Sequence, residues 1–453
     1  MAGRRRAHKK SRVARAAPAP DRAAQARRAM RLVTVAFLFV AYLYAVGIPA
    51  GKGPDETAHL RYIEHLATTH TLPVFDRENP GPDYEFHQPP LYYLIALPSY
   101  LLTARRGPEA AGQAVRFVTI LLAVPLLYLT FALARSLAPS RPWVAPAAAS
   151  VVAFLPMHLA ISAAAGNDVL TEVFFAAAFL LMVNHLHASA QGAAAEAQQP
   201  SARTMAFVGL LVGLGVLTKS IAALLFPLAW AAAAVAARGP RGYDWRRAAR
   251  DAAWATGIAL AVCGWWLLRN QIIYGDPLLQ RAFLSAFRDR PSPASFMEQF
   301  HLTALPYIGL VVSWTLASML GVFGPVVGNQ FVFYPAWVYF AFGILGILGA
   351  VGFARYLARG EPAAWQRRAW GLAGLLGALL MAGFIRFNLS FFQAQARYLF
   401  PALAPAAVAF CLGLQEIAPP RARPWAPAAA AVALLALAVV GLPQWIAPRF
   451  YSP

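Results

Sequence analysis

Apolar runs of about twenty residues recur along most of this 453-residue chain. A helix needs about twenty such residues to cross a bilayer, where only helices and closed barrels satisfy their own backbone hydrogen bonds. The sequence therefore predicts an all-α polytopic membrane protein with about eleven transmembrane helices. We place the spans at residues 31–50, 115–134, 143–164, 168–187, 204–218, 220–237, 252–269, 336–354, 369–387, 398–415 and 425–443.

Two further apolar stretches, residues 89–102 and 306–324, are assigned from the positions of lysine and arginine. Short cytoplasmic loops carry an excess of these residues. With eleven spans and a cytoplasmic N-terminus, most of the 39 basic residues fall on the cytoplasmic side. If either stretch crossed alone, loops that follow it would change sides, and strongly basic loops would then lie outside. We therefore expect both to be juxtamembrane or re-entrant elements at the outer face.

This topology divides the chain into a disordered basic cytoplasmic tail (1–30), a transmembrane domain (31–443) and a short outer tail (444–453). The transmembrane domain includes an outer loop (51–114) and an outer segment (270–335). The net charge of +20 fits membrane topology and contact with anionic lipids, because the basic residues do not interleave with aromatics as in a nucleic-acid site. Both cysteines fall in apolar runs, so no disulfide framework is expected.

Nearly every unusual polar group falls on the predicted outer side. In "PDETAH", directly after the first span, Asp55, Glu56 and His59 lie at helical spacing and can form one constellation. Acids in a first turn are also ordinary helix caps, stabilised by the helix dipole. An acid and a histidine three residues apart can share a divalent metal, but the other histidines do not repeat the spacing.

Further candidates for substrate binding follow at the same predicted face. Lysine and arginine suit phosphate oxygens, although a single cation at a helix end can also extend to the interface without a ligand. Asn167 and Asp168 form a plausible helix start. The full set is His87, Gln88, Tyr92, Asn167, Asp168, Lys219, Arg269, Asn270 and Arg397.

The order of these motifs resembles a known superfamily. "PDETAH", "HQPPLYYL", "GNDVLTE", "GLLVGLGVLTKS", "RNQIIYGDPL" and "QARYLFPAL" follow one another as in the GT-C membrane glycosyltransferases. The likeness is to bacterial relatives of protein O-mannosyltransferases and of the lipid A aminoarabinose transferase, and it covers about residues 31–415.

The resemblance implies a hexosyl- or pentosyltransferase that takes a sugar from a polyprenyl-phosphate carrier. Asp55 matches the acid usually assigned as general base, with Glu56 beside it. Lys219 and Arg397 match recurrent cations of the group. His87 and Gln88 stand where the aminoarabinose transferase resembles "EKPPL", so the lysine of that motif is missing here.

We therefore expect transfer to an envelope lipid or glycan at the outer face of a bacterial inner membrane, by inverting displacement and with no required cofactor. Nucleic acid is not an expected partner. A transporter or flippase for a lipid-linked sugar is an alternative, although that class usually places ionisable residues near the bilayer midplane. A polysaccharide assembly or polymerase component is a second alternative, since it joins lipid-linked sugars at the same face.

Overall fold

The computed structural model describes residues 21–192, 202–239, 242–286, 291–324, 330–360 and 362–451. These residues are almost entirely helical, as the sequence predicts. The helices are α1 (Arg22–Gly47), α2 (Glu56–Thr69), α3 (Leu91–Thr103), α4 (Pro108–Leu137), α5 (Val144–Phe154), α6 (Pro156–Ser162), α7 (Asp168–Gly192), α8 (Ala202–Val216), α9 (Leu225–Ala236), α10 (Trp245–Tyr274), α11 (Gln280–Ala286), α12 (Pro293–Gln299), α13 (Ala304–Leu320), α14 (Ala336–Ala358), α15 (Ala364–Ser390), α16 (Leu403–Ile417), α17 (Ala426–Gly441) and α18 (Ala447–Tyr451).

Strands are few and short in the described residues. An antiparallel pair joins β1 (Arg238–Gly239) to β2 (Gly242–Tyr243), and a second joins β3 (Val322–Phe323) to β4 (Val332–Phe333). Short 3₁₀ segments lie at Gly81–His87, Ser220–Leu224 and Ala396–Ala402, and they carry or adjoin polar residues of the candidate site. The chain changes direction between helices at these segments.

Among the described residues, eight helices are long and apolar enough to cross a membrane, or up to ten if each of two bent pairs is one span. The predicted count of eleven is thus not confirmed. The predicted span 143–164 is broken into α5 and α6, which meet at 66° at Pro156. A proline there removes a helical hydrogen bond and clashes with the preceding turn. The predicted spans 204–218 and 220–237 correspond to shorter apolar helices, α8 and α9.

The two stretches predicted not to cross alone are also irregular. Residues 89–102 form most of α3, which has only 13 residues. Residues 306–324 cover most of α13, which is bent by 107° against α12. This bend is compatible with a broken span or a re-entrant element.

Helical structure extends into both predicted terminal tails. Residues 1–20 of the predicted tail lie outside the described residues, and the rest of it is helical from Arg22 onward. The predicted outer tail, 444–453, is also helical as far as Tyr451.

Small residues bring some of the helices into backbone contact. A Cβ added to Gly352 of α14 would lie 2.0 Å from the carbonyl oxygen of Gly413 in α16, and one added to Gly413 would lie 1.8 Å from that of Gly349. Interfaces between membrane helices favour such residues because attraction there depends on close packing. We call this contact the glycine seam. Both cysteines, Cys263 and Cys411, are buried packing residues with free thiols.

Polar side chains gather at the two ends of the helices. At one end, Glu416 in the last turn of α16 pairs with Arg141, Arg355 and Arg359. These arginines were predicted to share the cytoplasmic side. At the other end, where α1 finishes and α7 and α16 begin, lies a second cluster, which contains the site.

Candidate active site

Asp55 lies at the turn between α1 and α2. Its backbone is in the left-handed region, with φ of 56° and ψ of 9°, and its side chain makes no capping hydrogen bond. The Tyr84 hydroxyl instead donates to Oδ1 at 2.8 Å, and Arg397 donates to Oδ2 at 2.5 Å. A non-glycine residue in this conformation is held there by its surroundings. The cap alternative for the Asp55 side chain is therefore wrong, because the turn aims it at Arg397.

Arg397 joins two acids that are far apart in the sequence. Its guanidinium donates to Asp55 and, at 3.2 Å, to Oδ2 of Asp168, the first residue of α7. Lys219, at the break after α8, donates to the other oxygen of Asp168. We call Asp55, Asp168, Lys219 and Arg397 the ionic cluster. Its two carboxylates and two cations balance in charge, which makes their burial tolerable.

A cleft of about 700 Å³ opens on the side of this cluster that Asp55 and Arg397 form. The Asp55 side chain is 30% exposed, whereas that of Arg397 is 4% exposed. Both residues line the cleft, together with Tyr84. A substrate in the cleft can therefore reach the Asp55 carboxylate, with the arginine behind it.

The electrostatics of Asp55 follow from this geometry. Burial is the largest single influence on this carboxyl and raises its pKa. The positive charge of Arg397 and smaller contributions, which include the hydrogen bonds from Arg397 and Tyr84, together outweigh burial and hold the pKa of Asp55 well below its usual value. Asp55 is thus a carboxylate at neutral pH and accepts hydrogen bonds.

Glu56 has a different environment from its neighbour. Its buried carboxylate accepts two hydrogen bonds from Arg116, both at 2.6 Å, and three from the backbone amides of Gly51, Gly53 and Ala165. Arg116 uses its remaining N–H groups on the carbonyls of Ala45, Ile48 and Pro49 at the end of α1. Glu56 therefore anchors the α1–α2 turn to α4.

His59 and Glu85 form a buried pair behind Asp55. The His59 Nδ1 lies 2.8 Å from the Tyr93 hydroxyl and 4.0 Å from Oε2 of Glu85. Burial lowers the pKa of His59 and raises that of Glu85. Glu85 Oε2 has no hydrogen-bond partner among the described residues.

The metal site considered for Asp55, Glu56 and His59 does not fit this geometry. The three side chains turn to Arg397, Arg116 and the Tyr93 hydroxyl respectively. Within the described part of the chain, no group of three or more His, Cys, Asp or Glu side chains could hold an ion.

His87, Gln88 and Asn167 form a hydrogen-bonded chain beside the cluster. The His87 Nδ1 lies 2.5 Å from the Tyr84 carbonyl oxygen, and its Nε2 lies 3.0 Å from the Gln88 amide nitrogen. Asn167 donates to the Gln88 amide oxygen at 3.2 Å and to the carbonyl of Thr218 at 3.1 Å. These hydrogen bonds link the Gly81–His87 segment to the start of α7 and to the break after α8.

His87 predicts a pH dependence of stability. Burial lowers its pKa to about 4, below the ordinary value near 6.5. The unfolded chain therefore takes up a proton first as the pH falls, and the folded state loses stability between about pH 6.5 and pH 4. We expect His87→Gln to reduce the fall in melting temperature over this interval. His70→Gln, at an exposed histidine, is the matched control, and an equal effect of both changes would contradict the assignment.

Three predicted binding residues lie away from the ionic cluster. Tyr92 is fully buried, where its hydroxyl bonds Thr119 at 2.8 Å and accepts from the Gly166 amide at 2.9 Å. Arg269 donates to the Pro73 carbonyl at 2.7 Å, and Asn270 donates to that of Pro277 at 3.1 Å. Tyr92 thus binds the backbone that leads into α7, where the cluster residue Asp168 lies. Arg269 and Asn270 hold the loops at the end of α10.

The structure adds polar residues that were not selected from the sequence. Tyr84 and Arg116 are two of them. One helical turn after Asp168, Glu172 lies 3.3 Å from His158 in a fully buried pair. A lone charge inside an apolar run requires a partner, and this signal could have marked Arg116 and Glu172.

Comparison with known proteins agrees with this architecture. Residues 98–273 match the family model of dolichyl-phosphate-mannose-protein mannosyltransferase. The archaeal oligosaccharyltransferase AglB from Archaeoglobus fulgidus, in complex with an inhibitory peptide and a dolichol-phosphate, superposes with a TM-score of 0.53 at 14% identity, over 91% of this chain and 54% of that one. ArnT from Cupriavidus metallidurans, bound to undecaprenyl phosphate, gives 0.50 at 16% identity, over 91% and 63%.

The chain has the GT-C fold. It spans about half the length of the archaeal oligosaccharyltransferase. A search of curated proteins finds no match. Within this GT-C fold, the four residues of the ionic cluster lie in the turn before α2, at the start of α7, at the break after α8 and in the turn before α16.

Proposed function

We propose that the protein is a membrane glycosyltransferase that moves a sugar from a polyprenyl-phosphate carrier to an envelope lipid or glycan. One observation carries the proposal: the partly exposed carboxylate of Asp55 lies on the wall of a large cleft and contacts the buried guanidinium of Arg397. Displacement at an anomeric carbon requires a base for the acceptor hydroxyl and a positive charge that stabilises the leaving phosphate, and these two residues supply them. The GT-C fold supports the same reaction class.

In the proposed reaction, the acceptor hydroxyl attacks the anomeric carbon of the donor. Its proton passes to Asp55 as the new carbon–oxygen bond forms, and the bond from that carbon to the phosphate oxygen breaks. Polyprenyl phosphate leaves with the bonding electrons. A single displacement inverts the anomeric configuration, whereas two displacements through a covalent intermediate would retain it. Glu56 is saturated by five hydrogen bonds, so we assign the base role to Asp55 alone.

Lys219 and Arg397 are the proposed phosphate ligands. Both already bind the Asp168 carboxylate, which occupies the position of an anionic group between them. Charge-assisted bonds from such cations stabilise the charge that grows on a leaving phosphate. Gln88 stands at the place of the lysine in the related motif and bonds His87 and Asn167, while His87 contacts the Tyr84 backbone. We assign these two residues to positioning Tyr84 rather than to binding phosphate.

The pairing of Arg397 with Asp55 also links donor binding to the strength of the base. A phosphate that attracts Arg397 weakens its bond to Asp55. The pKa of that carboxyl then rises toward its ordinary value, because Arg397 is the main cause of its depression. Asp55 becomes a better base when the donor is present.

Transfer from a panel of radiolabelled polyprenyl-phosphate sugars, with purified protein in liposomes and membrane lipids and glycans as acceptors, tests the proposal. Label in a product would establish the enzyme and name its donor. Label that crosses the bilayer with no product formed would instead favour the transporter alternative. A product whose anomeric configuration matches that of the donor would exclude single displacement.

Lys219→Gln is expected to raise the KM for the lipid-phosphate donor by about 10- to 100-fold, because a hydrogen bond to a charged group contributes about 1.5–3 kcal/mol. The KM for the acceptor should change little. Arg61→Gln is the matched control, since Arg61 is half-exposed and pairs with Asp83 rather than with the ionic cluster. An unchanged donor KM in Lys219→Gln would remove that residue from phosphate binding.

A further inference from the structure

The cleft has a second wall whose chemistry differs from that of the ionic cluster. It consists of aromatic rings centred on Trp314 of α13, and we call it the aromatic wall. Phe331 and Phe333 meet Trp314 nearly at right angles, with ring centroids 5.5 and 5.3 Å away. Phe392 lies 6.1 Å from Trp314 and stacks on Phe296 at 4.7 Å. These edge-to-face and stacked contacts fix the rings in place.

Helix α13 turns Trp314 toward the cleft rather than toward lipid. Leu310, Trp314 and Ser318, spaced four residues apart, line the cleft. The opposite stripe of the helix includes Leu305 and Leu316, which are 78% and 64% exposed. Residues four apart share one face of a helix. The exposed stripe is therefore the surface suited to acyl chains, whereas Trp314 faces the cleft.

Two glutamine amides connect the aromatic wall to the ionic cluster. Gln393 Oε1 accepts from Gln395 Nε2 at 3.0 Å, and Gln395 Oε1 accepts from Arg397 Nε at 2.8 Å. The backbone of Gln393 is held in turn by the side chain of Asn388, with bonds of 3.0 and 3.3 Å. Gln393 Nε2 has no hydrogen bond to another described residue, so a fixed donor remains at the cleft.

We propose that the aromatic wall is the acceptor subsite and that it takes a saccharide ring. A sugar ring presents C–H groups on its face and hydroxyl groups on its rim. Aromatic rings pack against the face, and an amide such as Gln393 bonds the rim. A polyprenyl tail has no group for that amide to bond. The cleft volume of about 700 Å³ is within the usual range for small-molecule sites.

This inference rests on the proposed function and narrows it from a lipid or glycan acceptor to one that presents a sugar. Because Asp55 and Trp314 line the same cleft, a ring on the aromatic wall can direct a hydroxyl toward the base. Trp314 is thus a specificity-determining residue, and Gln393 is its polar partner.

Binding of free sugars tests the subsite without requiring transfer. The probes are mannotriose, chitotriose and arabinotriose, observed by saturation-transfer NMR with the full-length protein in detergent micelles. We expect magnetisation transfer from the protein to the ring C–H protons of at least one probe. This saturation-transfer signal should be at least about fivefold weaker in Trp314→Leu. Trp254→Leu, at an exposed tryptophan of α10, is the matched control and should bind as the wild type does. Gln393→Leu should also weaken binding, and melting curves check that each variant folds.

The outcomes separate this inference from the proposed function. Sugar binding that persists in Trp314→Leu, or no binding of any probe to the wild type, overturns the subsite. Weaker binding of undecaprenyl phosphate by Trp314→Leu, with sugar binding unchanged, would assign the aromatic wall to the lipid tail. Trp314-dependent sugar binding in a protein that transfers no sugar would uphold the aromatic wall as a saccharide site but overturn its assignment as an acceptor subsite, together with the proposed function.

Discussion

Asp55→Asn is expected to lower sugar transfer by at least about 100-fold, since general-base catalysis typically contributes about 10²–10⁴-fold. The amide is nearly the same size as the carboxylate: its oxygen can accept from Arg397, and its NH₂ group can donate to the Tyr84 hydroxyl, which reverses that hydrogen bond. It cannot take the acceptor proton. Asparagine also tolerates the left-handed backbone at this turn. The fold should therefore survive, and the loss should fall on kcat in assays with a labelled polyprenyl-phosphate sugar.

Asp83→Asn supplies the matched control for this prediction. Asp83 lies in the segment next to Tyr84, with a partly exposed side chain whose ion pair is with Arg61. Its substitution should leave transfer within about twofold of the wild type, because surface ion pairs contribute little. Full activity in Asp55→Asn would exclude Asp55 as the base. A melting temperature lowered only in Asp55→Asn would point instead to a structural role.

Arg116→Met should destabilise the folded protein by about 3–5 kcal/mol, the usual result of stranding one member of a buried ion pair. Glu56 would lose two of its five hydrogen bonds and keep an unpaired charge, and three carbonyls at the end of α1 would lose their donor. The measurement is thermal unfolding of purified protein in detergent. We expect the α1–α2 turn to loosen first and to carry Asp55 with it.

Arg135→Met is the control on the same helix, because Arg135 is exposed near the end of α4 and lies over Phe131. It should unfold close to the wild-type temperature. The double variant Glu56→Gln, Arg116→Met should recover part of the lost stability, since it no longer buries a lone charge. Equal melting temperatures for Arg116→Met and Arg135→Met would show that the buried pair does not hold the turn.

The all-α membrane architecture could be predicted because a bilayer demands long apolar helices. The number of spans could not, since hydropathy does not report where a helix breaks. Pro156 divides one predicted span, and α8 and α9 are each shorter than a full crossing. A hydropathy window averages over an apolar proline such as Pro156 and does not detect its effect on the backbone.

The ionic cluster was predicted in part. Asp55, Asp168, Lys219 and Arg397 were all chosen from the sequence, and the structure brings them into contact. Their pairing could not be predicted, because Asp55 and Arg397 are 342 positions apart. The separation of Asp55 from Glu56 depends on the left-handed backbone at Asp55, which turns two adjacent carboxylates to different partners.

The glycine seam between α14 and α16 has a mechanical consequence. With backbone against backbone, neither helix can slide past the other without a steric clash, so the two tilt together. The apolar part of α14 is mostly exposed, with only 17% of it buried, and α16 follows directly on the turn that carries Arg397. A bilayer that is too thin or too thick for α14 tilts it. A change in membrane thickness that tilts α14 should therefore also tilt α16. The turn that carries Arg397, which binds Asp55, should move with it.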